Sequence, residues 1–210
     1  MSDTVTLPAN AQDDSAKRRQ IVEGARAVFL GQGFDAASMG DIAKAAGVSK
    51  GTLYVYFTNK EELFSAIVQQ ECCTHAEGAF RLDDNDHDVE GVMTRVGIEF
   101  VKFLCTREKA STLRIVAAIA ERMPEIGKAF YETGPANGIH RLSNYLGAQV
   151  KAGVLDIEDC EVVASQFLDA CHSTLFKPVL FNFGPPPAPD RVNHVVGIAV
   201  RAFMAAYRAG

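Results

Sequence analysis

Ala37-Ser-Met-Gly-Asp-Ile-Ala-Lys-Ala-Ala-Gly-Val-Ser-Lys-Gly-Thr-Leu-Tyr-Val-Tyr-Phe57, continued by Thr58-Asn-Lys-Glu-Glu62, is the stretch that decides what kind of molecule this is. It reads as two short helices joined by a glycine turn, with another helix starting at once. Ser38 can cap the first helix, and Asp41 stands three residues on in a capping-box position. Ile42, Ala45 and Ala46 supply one apolar stripe, and Gly47 suits the left-handed backbone of a tight helix exit. Val48 can plug the space between the helices. Ser49 caps the second helix, whose Leu53 and Phe57 lie four apart and face inward. Lys50, Thr52, Tyr54 and Tyr56 occupy its other faces, and Gly51 lets backbone come close to a sugar or phosphate. Thr58 to Glu61 reads as a T-x-x-E box for the next helix, with Lys60 in its first turn. This is the geometry that presents a helix to the major groove of DNA.

Ser38-Met-x-Asp-Ile-Ala, Ala46-Gly-Val-Ser-Lys-Gly-Thr-Leu-Tyr-x-Tyr-Phe57 and Asn59-Lys-Glu-Glu-Leu63 together resemble the DNA-binding domain of the TetR family of bacterial transcriptional regulators. The resemblance runs from about Ala16 to Leu63; it departs at Gly40, where many members carry a larger polar residue. It implies an all-α chain, with an N-terminal three-helix helix-turn-helix domain followed by a helical ligand-binding and dimerisation domain. It implies a homodimer on a palindromic operator in double-stranded DNA, most simply a repressor released by a small apolar or amphipathic effector. Carried onto this chain, Lys50, Thr52 and Tyr54 would read or flank bases with Gly51 close to the backbone, while Ser38, Ser49, Tyr56 and Lys60 would hold phosphates. A capped helix pair also occurs in helical proteins that never touch DNA, so a small-molecule-binding protein that no longer reads DNA stays open beside this reading.

Charge is distributed in keeping with a reader of DNA. The whole chain carries −5, yet between Ser15 and Lys60 the bases Lys17, Arg18, Arg19, Arg26, Lys44, Lys50 and Lys60 face only Glu23, Asp35 and Asp41. A basic reading head on an acidic body would orient the protein on a polyanion. The start of the chain, Met1-Ser-Asp-Thr, has no leader pattern, and no apolar run approaches the length of a membrane span. Cys72, Cys73, Cys105, Cys160 and Cys171 show no metal-ligand spacing. A cytoplasmic protein without membrane, metal or cofactor is expected. A cysteine-based redox sensor is the alternative regulator, since Cys72 and Cys73 are adjacent and Cys105 and Cys171 fall in helices that could meet. Catalysis is not expected: Asp169, His172 and Ser173 are triad residue types, but their spacing on one helix cannot align a relay.

Along the chain, residues 1–14 are polar and acidic and read as a disordered tail, 15–60 as the helix-turn-helix domain, and 61–210 as the body. The first helix is expected from about Ala16 to Leu30, burying Ile21, Ala25, Val28 and Phe29, with Phe34 packed beneath the motif. The fourth, from Asn59 to about Phe80 with faces marked by Leu63, Ile67 and Glu71, would link the domains. Asp83-Asp-Asn-Asp-His-Asp88 fails the calcium-loop pattern, because Val89 stands where glycine is needed and Arg95 where glutamate is needed, and reads as a solvated linker.

From Val89 onward the periodicity is helical throughout. Apart from Arg114, Leu113 to Ala120 is apolar all round and should be central; Pro124 and Gly134-Pro135 should break the next region; one helix should run from Asp156 or Asp159 to about Phe181. Gly184-Pro-Pro-Pro-Ala-Pro189 is a stiff connector before the last helix. An effector cavity would draw on Phe100, Phe103, Ile115 and Phe167, with Arg114, Glu121, His140 and Asn144 as polar anchors. The dimer interface, placed mostly by the family resemblance, would use Leu168, Cys171, Leu175, Val195, Val196, Ala199 and Phe203.

Overall fold

The computed structural model describes residues 9–79 and 82–210, and the side chains of 14–70 and 82–210. The expected tail before Ala9, and the side chains of Glu71, Cys72 and Cys73, lie outside the described residues. The chain is all-helical, and its one β-type contact among the described residues is the isolated bridge Leu155–Arg208. It divides into two compact units at Gln69–Gln70, nine residues past the expected boundary.

The first unit holds α1 (Ala9–Gln32), α2 (Met39–Ala45), α3 (Lys50–Tyr56) and the start of α4 (Lys60–Ala79). α1 starts seven residues before the expected Ala16 and includes part of the supposed tail. Ala9 to Ala16 contains no glycine or proline to interrupt it. Ile21, Val22, Ala25, Val28 and Phe29 are buried together with Ile42, Leu53, Phe57, Leu63 and Phe64. Phe34 packs as expected, stacked on Phe29 at 5.6 Å and edge-on to Phe64 at 5.4 Å. Gly24 lets α1 and α2 touch, because an added Cβ there would lie 2.6 Å from the Ala46 Cα. Gln20 Nε2 donates to the Ala46 carbonyl at 2.7 Å and holds the end of α2 from α1. Gly47 adopts φ +65 at the turn.

The second unit contains α5 (Val89–Leu104), α6 (Arg107–Ile119), α7 (Pro124–Tyr131), a π turn over Glu132–Ala136, α8 (Asn137–Lys151), α9 (Cys160–His172), α10 (Phe176–Leu180) and α11 (Pro189–Tyr207). α5, α9 and α11 meet at Gly97, where a Cβ would stand 2.8 Å from Val196 Cγ1 and 2.9 Å from Cys171 Sγ.

Four expectations about this unit change. The helix expected to reach Phe181 stops at His172 and resumes as α10, because Pro178 has no N–H for the carbonyl four residues back and its ring crowds that carbonyl. Pro124 starts α7 instead of breaking it, and Gly134-Pro135 is absorbed in the π turn, so the helical path continues into α8. α6 is not central: Arg114, Ala117 and Ala118 are exposed, since alanine tolerates solvent as readily as core. The acidic segment 83–88 is exposed in its side chains but its backbone is pinned. Tyr145 Oη donates to the Asp86 carbonyl at 2.8 Å, the fully buried Gln149 donates to the Asp84 carbonyl at 2.9 Å, and Asp88 caps α5 through the Gly91 N–H. Burial, with Asp86 and Asp88 nearby, pushes the Tyr145 hydroxyl up to about 12. Among the described residues no cluster of acids, histidines or cysteines is suited to hold a metal.

Candidate nucleic-acid interface

The two caps of the motif form as the residue types require. The Asp41 N–H donates to Ser38 Oγ at 3.1 Å, and the Thr52 N–H donates to Ser49 Oγ at 3.0 Å, satisfying first-turn amides. The third cap is shifted by one residue. Asn59, not Thr58, accepts from the Glu62 N–H, and the Glu62 carboxylate reaches back to the Thr58 N–H and hydroxyl, both at 2.8 Å. Glu62 thereby fills the N3 place assigned in the sequence to Glu61. The two hydrogen bonds from Thr58 hold its carboxyl below the ordinary carboxylate value.

α3 turns Leu53 into the core and leaves Lys50, Gly51 and Tyr54 exposed, with Thr52 half-buried. Tyr54 is 53% and Val55 81% exposed, so two large apolar groups stand in water on a helix of seven residues. Val55 was missed by periodicity; what identifies it is its exposure opposite Leu53. Gly40 has a positive role: its missing side chain leaves room for the Lys50 Cε, which would lie 3.2 Å from a Cβ there. The basic side chains Arg18, Arg19, Lys44 and Lys50 are all exposed on this unit.

Two of the expected phosphate-holding side chains are engaged within the unit. Lys60 Nζ donates to the carbonyls of Phe34, Asp35 and Ala37 at 2.9, 3.2 and 3.2 Å and lies 4.7 Å over the Phe34 ring. An ammonium has three N–H donors, and all three are used on this loop. Tyr56 Oη donates to Asp14 Oδ1 at 2.6 Å, a contact that depends on the early start of α1.

Comparison with known proteins decides the family. The description "Bacterial regulatory proteins, tetR family" matches residues 21–67, and the C-terminal domain of AefR-like transcriptional repressors matches residues 91–209, more than half of the chain. The chain belongs to the TetR family of bacterial transcriptional regulators. It is a DNA-binding TetR-family regulator, and the family is not one of enzymes.

Among curated relatives it is similar to the HTH-type transcriptional repressor Rv1474c of Mycobacterium tuberculosis, 35% identical over 66 residues, 31% of this chain and 35% of that protein. The chain thus spans about a third of the length of that relative. The fold extends much further. A TetR-family regulator structure from Mesorhizobium loti aligns with TM-score 0.85 at 26% identity, covering 93% of this chain and 98% of that one. The flavonoid-responsive regulator FrrA aligns with TM-score 0.77 at 29% identity, covering 92% and 98%.

The expected effector residues all lie in the regulator's second unit. Arg114 is exposed and donates to the Leu180 carbonyl at 2.8 Å, closing the end of α10, while Glu121 is exposed and His140 and Asn144 bond to each other at the surface. Phe167 is buried edge-on to Phe203; Phe100, Phe103 and Ile115 are half-buried. His172 is a further polar candidate on α9, on a helical face that the sequence alone reads as wet surface. Its ring lies between Phe100 at 5.9 Å and Phe176 at 5.7 Å, and its buried Nδ1 has no hydrogen-bond partner among the described residues.

The residues expected at a dimer interface are core residues of this chain. Leu168, Cys171, Leu175, Val195, Val196, Ala199 and Phe203 are 0–7% exposed within the single chain. The strongest apolar stripe of each helix went to the core of its own unit, where it buries the most area. Burial also keeps the thiols protonated: Cys171 is pushed up to about 12 and Cys105 to about 11. Among the described residues no helix is long and apolar enough to cross a membrane.

Proposed function

We propose that this TetR-family regulator acts as a homodimeric repressor that binds a palindromic operator through α3 and is released by a small amphipathic effector. The observation that carries the DNA-reading assignment is the outward face of α3, where Tyr54 and Val55 stand exposed beside Lys50. Exposed apolar surface on so short a helix contributes nothing to the fold, and against a major groove it meets base edges and thymine methyl groups. Ser38 and Ser49 add backbone contacts at two helix starts. The dimer forms through the outer faces of α9 and α11, where Val162 and Ile198, each 48% exposed, are the exposed large apolar groups.

For the effector, the pair Phe100 and Phe176 around His172 suits a hydroxylated aromatic molecule, stacked on the rings and donating an O–H to the orphan Nδ1. The likeness to FrrA, described as flavonoid-responsive, supports that class. Binding shifts DNA affinity by the effector's preference for the shape in which the reading heads no longer match the operator. Selection from random duplexes by purified, reduced protein tests the reading. An enriched palindrome supports it, and a well-folded protein that enriches nothing overturns it. The selected duplex then serves to screen hydroxylated aromatics for release.

A further inference from the structure

We infer that Asp14 is an electrostatic gate on DNA binding, competing with a backbone phosphate for the hydroxyl of Tyr56. The inference rests on the reading of α3 as the DNA-contacting helix. The face of α1 that carries Asp14 also carries Arg18, one turn on, and this face lies along the end of α3. Asp14 takes the Tyr56 hydroxyl at 2.6 Å, and the Arg18 guanidinium sits 5.1 Å over the ring of the next residue, Phe57. One face of α1 thus places a cation and an anion side by side at the same edge of the reading unit.

A phenol has one O–H to donate. While Asp14 holds it, the oxygen turns its lone pairs toward any approaching phosphate, and the carboxylate adds a like charge about 5 Å from where that phosphate would sit. Binding DNA through Tyr56 therefore requires the O–H to leave Asp14. The repulsion does not depend on base sequence, so it lowers occupancy of bulk DNA while base contacts by α3 still select the operator. Arg18, close by, attracts the same backbone. Asp14 is a positioning residue, acting through Tyr56.

The test uses the full chain, a selected duplex and a random duplex, with binding followed by fluorescence anisotropy over a range of salt. Asp14→Asn keeps a hydrogen-bond acceptor of the same shape and removes the charge. The expected result is roughly fivefold tighter binding of both duplexes at low salt, with the gain shrinking as screening increases. Tyr56→Phe, which removes the contested donor, is expected to weaken both complexes. Binding by Asp14→Asn that equals or falls below that of the unsubstituted protein at all salts, with an unchanged thermal transition, overturns the gate and leaves the DNA-reading assignment standing. If neither protein binds any duplex, both inferences are overturned together.

Discussion

Gly24 and Ala46 meet at the crossing of α1 and α2 with no space for a β-carbon between them, since one built on Gly24 would lie 2.6 Å from the Ala46 backbone nitrogen and Cα. The contact fixes where the helix-turn-helix sits on its supporting helix. Gly24→Ala must push α2 away, and the expected cost is about 1–3 kcal/mol of stability for this unit, in spite of alanine's better helix propensity. Gly31, also in α1 but with open space around it, is the control: Gly31→Ala should be neutral or stabilising by about 0.5–1 kcal/mol. Urea unfolding of both variants checks the pair.

Lys60 distinguishes a structural lysine from a phosphate ligand. Lys60→Met should destabilise the first unit by about 1–3 kcal/mol, because three loop carbonyls at Phe34, Asp35 and Ala37 lose their donor. The salt slope of DNA binding should stay unchanged, whereas loss of a phosphate contact would lower it by about one. A shallower slope with unaltered stability would contradict the structural role.

Tyr54 behaves in the opposite way. At 53% exposure it contributes little to folding, so Tyr54→Ala should leave the thermal transition in place. Binding to the selected duplex should weaken by about 1–3 kcal/mol, with a smaller loss on random DNA. Equal losses on both duplexes would make Tyr54 a backbone contact.

The two faces of α11 can be separated by charge. Ile198→Glu places a carboxylate on the outer face and should convert a dimer to a folded monomer in light scattering, with DNA binding lost. Val196→Glu, aimed into the core where Val196 is 0% exposed, should unfold the body outright. A dimer surviving Ile198→Glu would move the interface elsewhere.

Stability should fall in alkali. Cys171 is raised from 9.0 to about 12, Cys105 from 9.0 to about 11, and Tyr145 from 10.0 to about 12. The unfolded chain loses these protons first, so the stabilisation is complete below pH 9 and is lost as pH rises through the folded-state values. Urea midpoints should be flat to about pH 8.5 and drop above it, and Cys171→Ala should flatten part of the drop. An unchanged midpoint above pH 10 would contradict the burial of these groups.

The motif was legible because its determinants are local. Ser38 with Asp41, Ser49 with Thr52, and the glycine at position 47 each act within four residues, and all three formed where the spacing put them. Local signals also failed where two candidates stood side by side. Thr58 and Asn59 are both good caps, and only the reach of Glu62 selects Asn59. The break in the long helix before Pro178 was readable from that proline and was overridden by the apolar periodicity on either side.

Helix content, the glycine turn, the basic charge of the reading unit and the inward stripes of α1 and α3 followed from neighbouring residues alone, because propensity, capping and periodicity act over one or two turns. The loop carbonyls that occupy Lys60, the acid that meets Tyr56 and the Phe100 ring beside His172 join residues 23 or more positions apart, and the burial of the expected interface on α9 and α11 depends on which stripe wins the core. Such contacts depend on how helices pack in three dimensions, and a one-dimensional pattern of apolar and charged residues does not encode which face meets which neighbour.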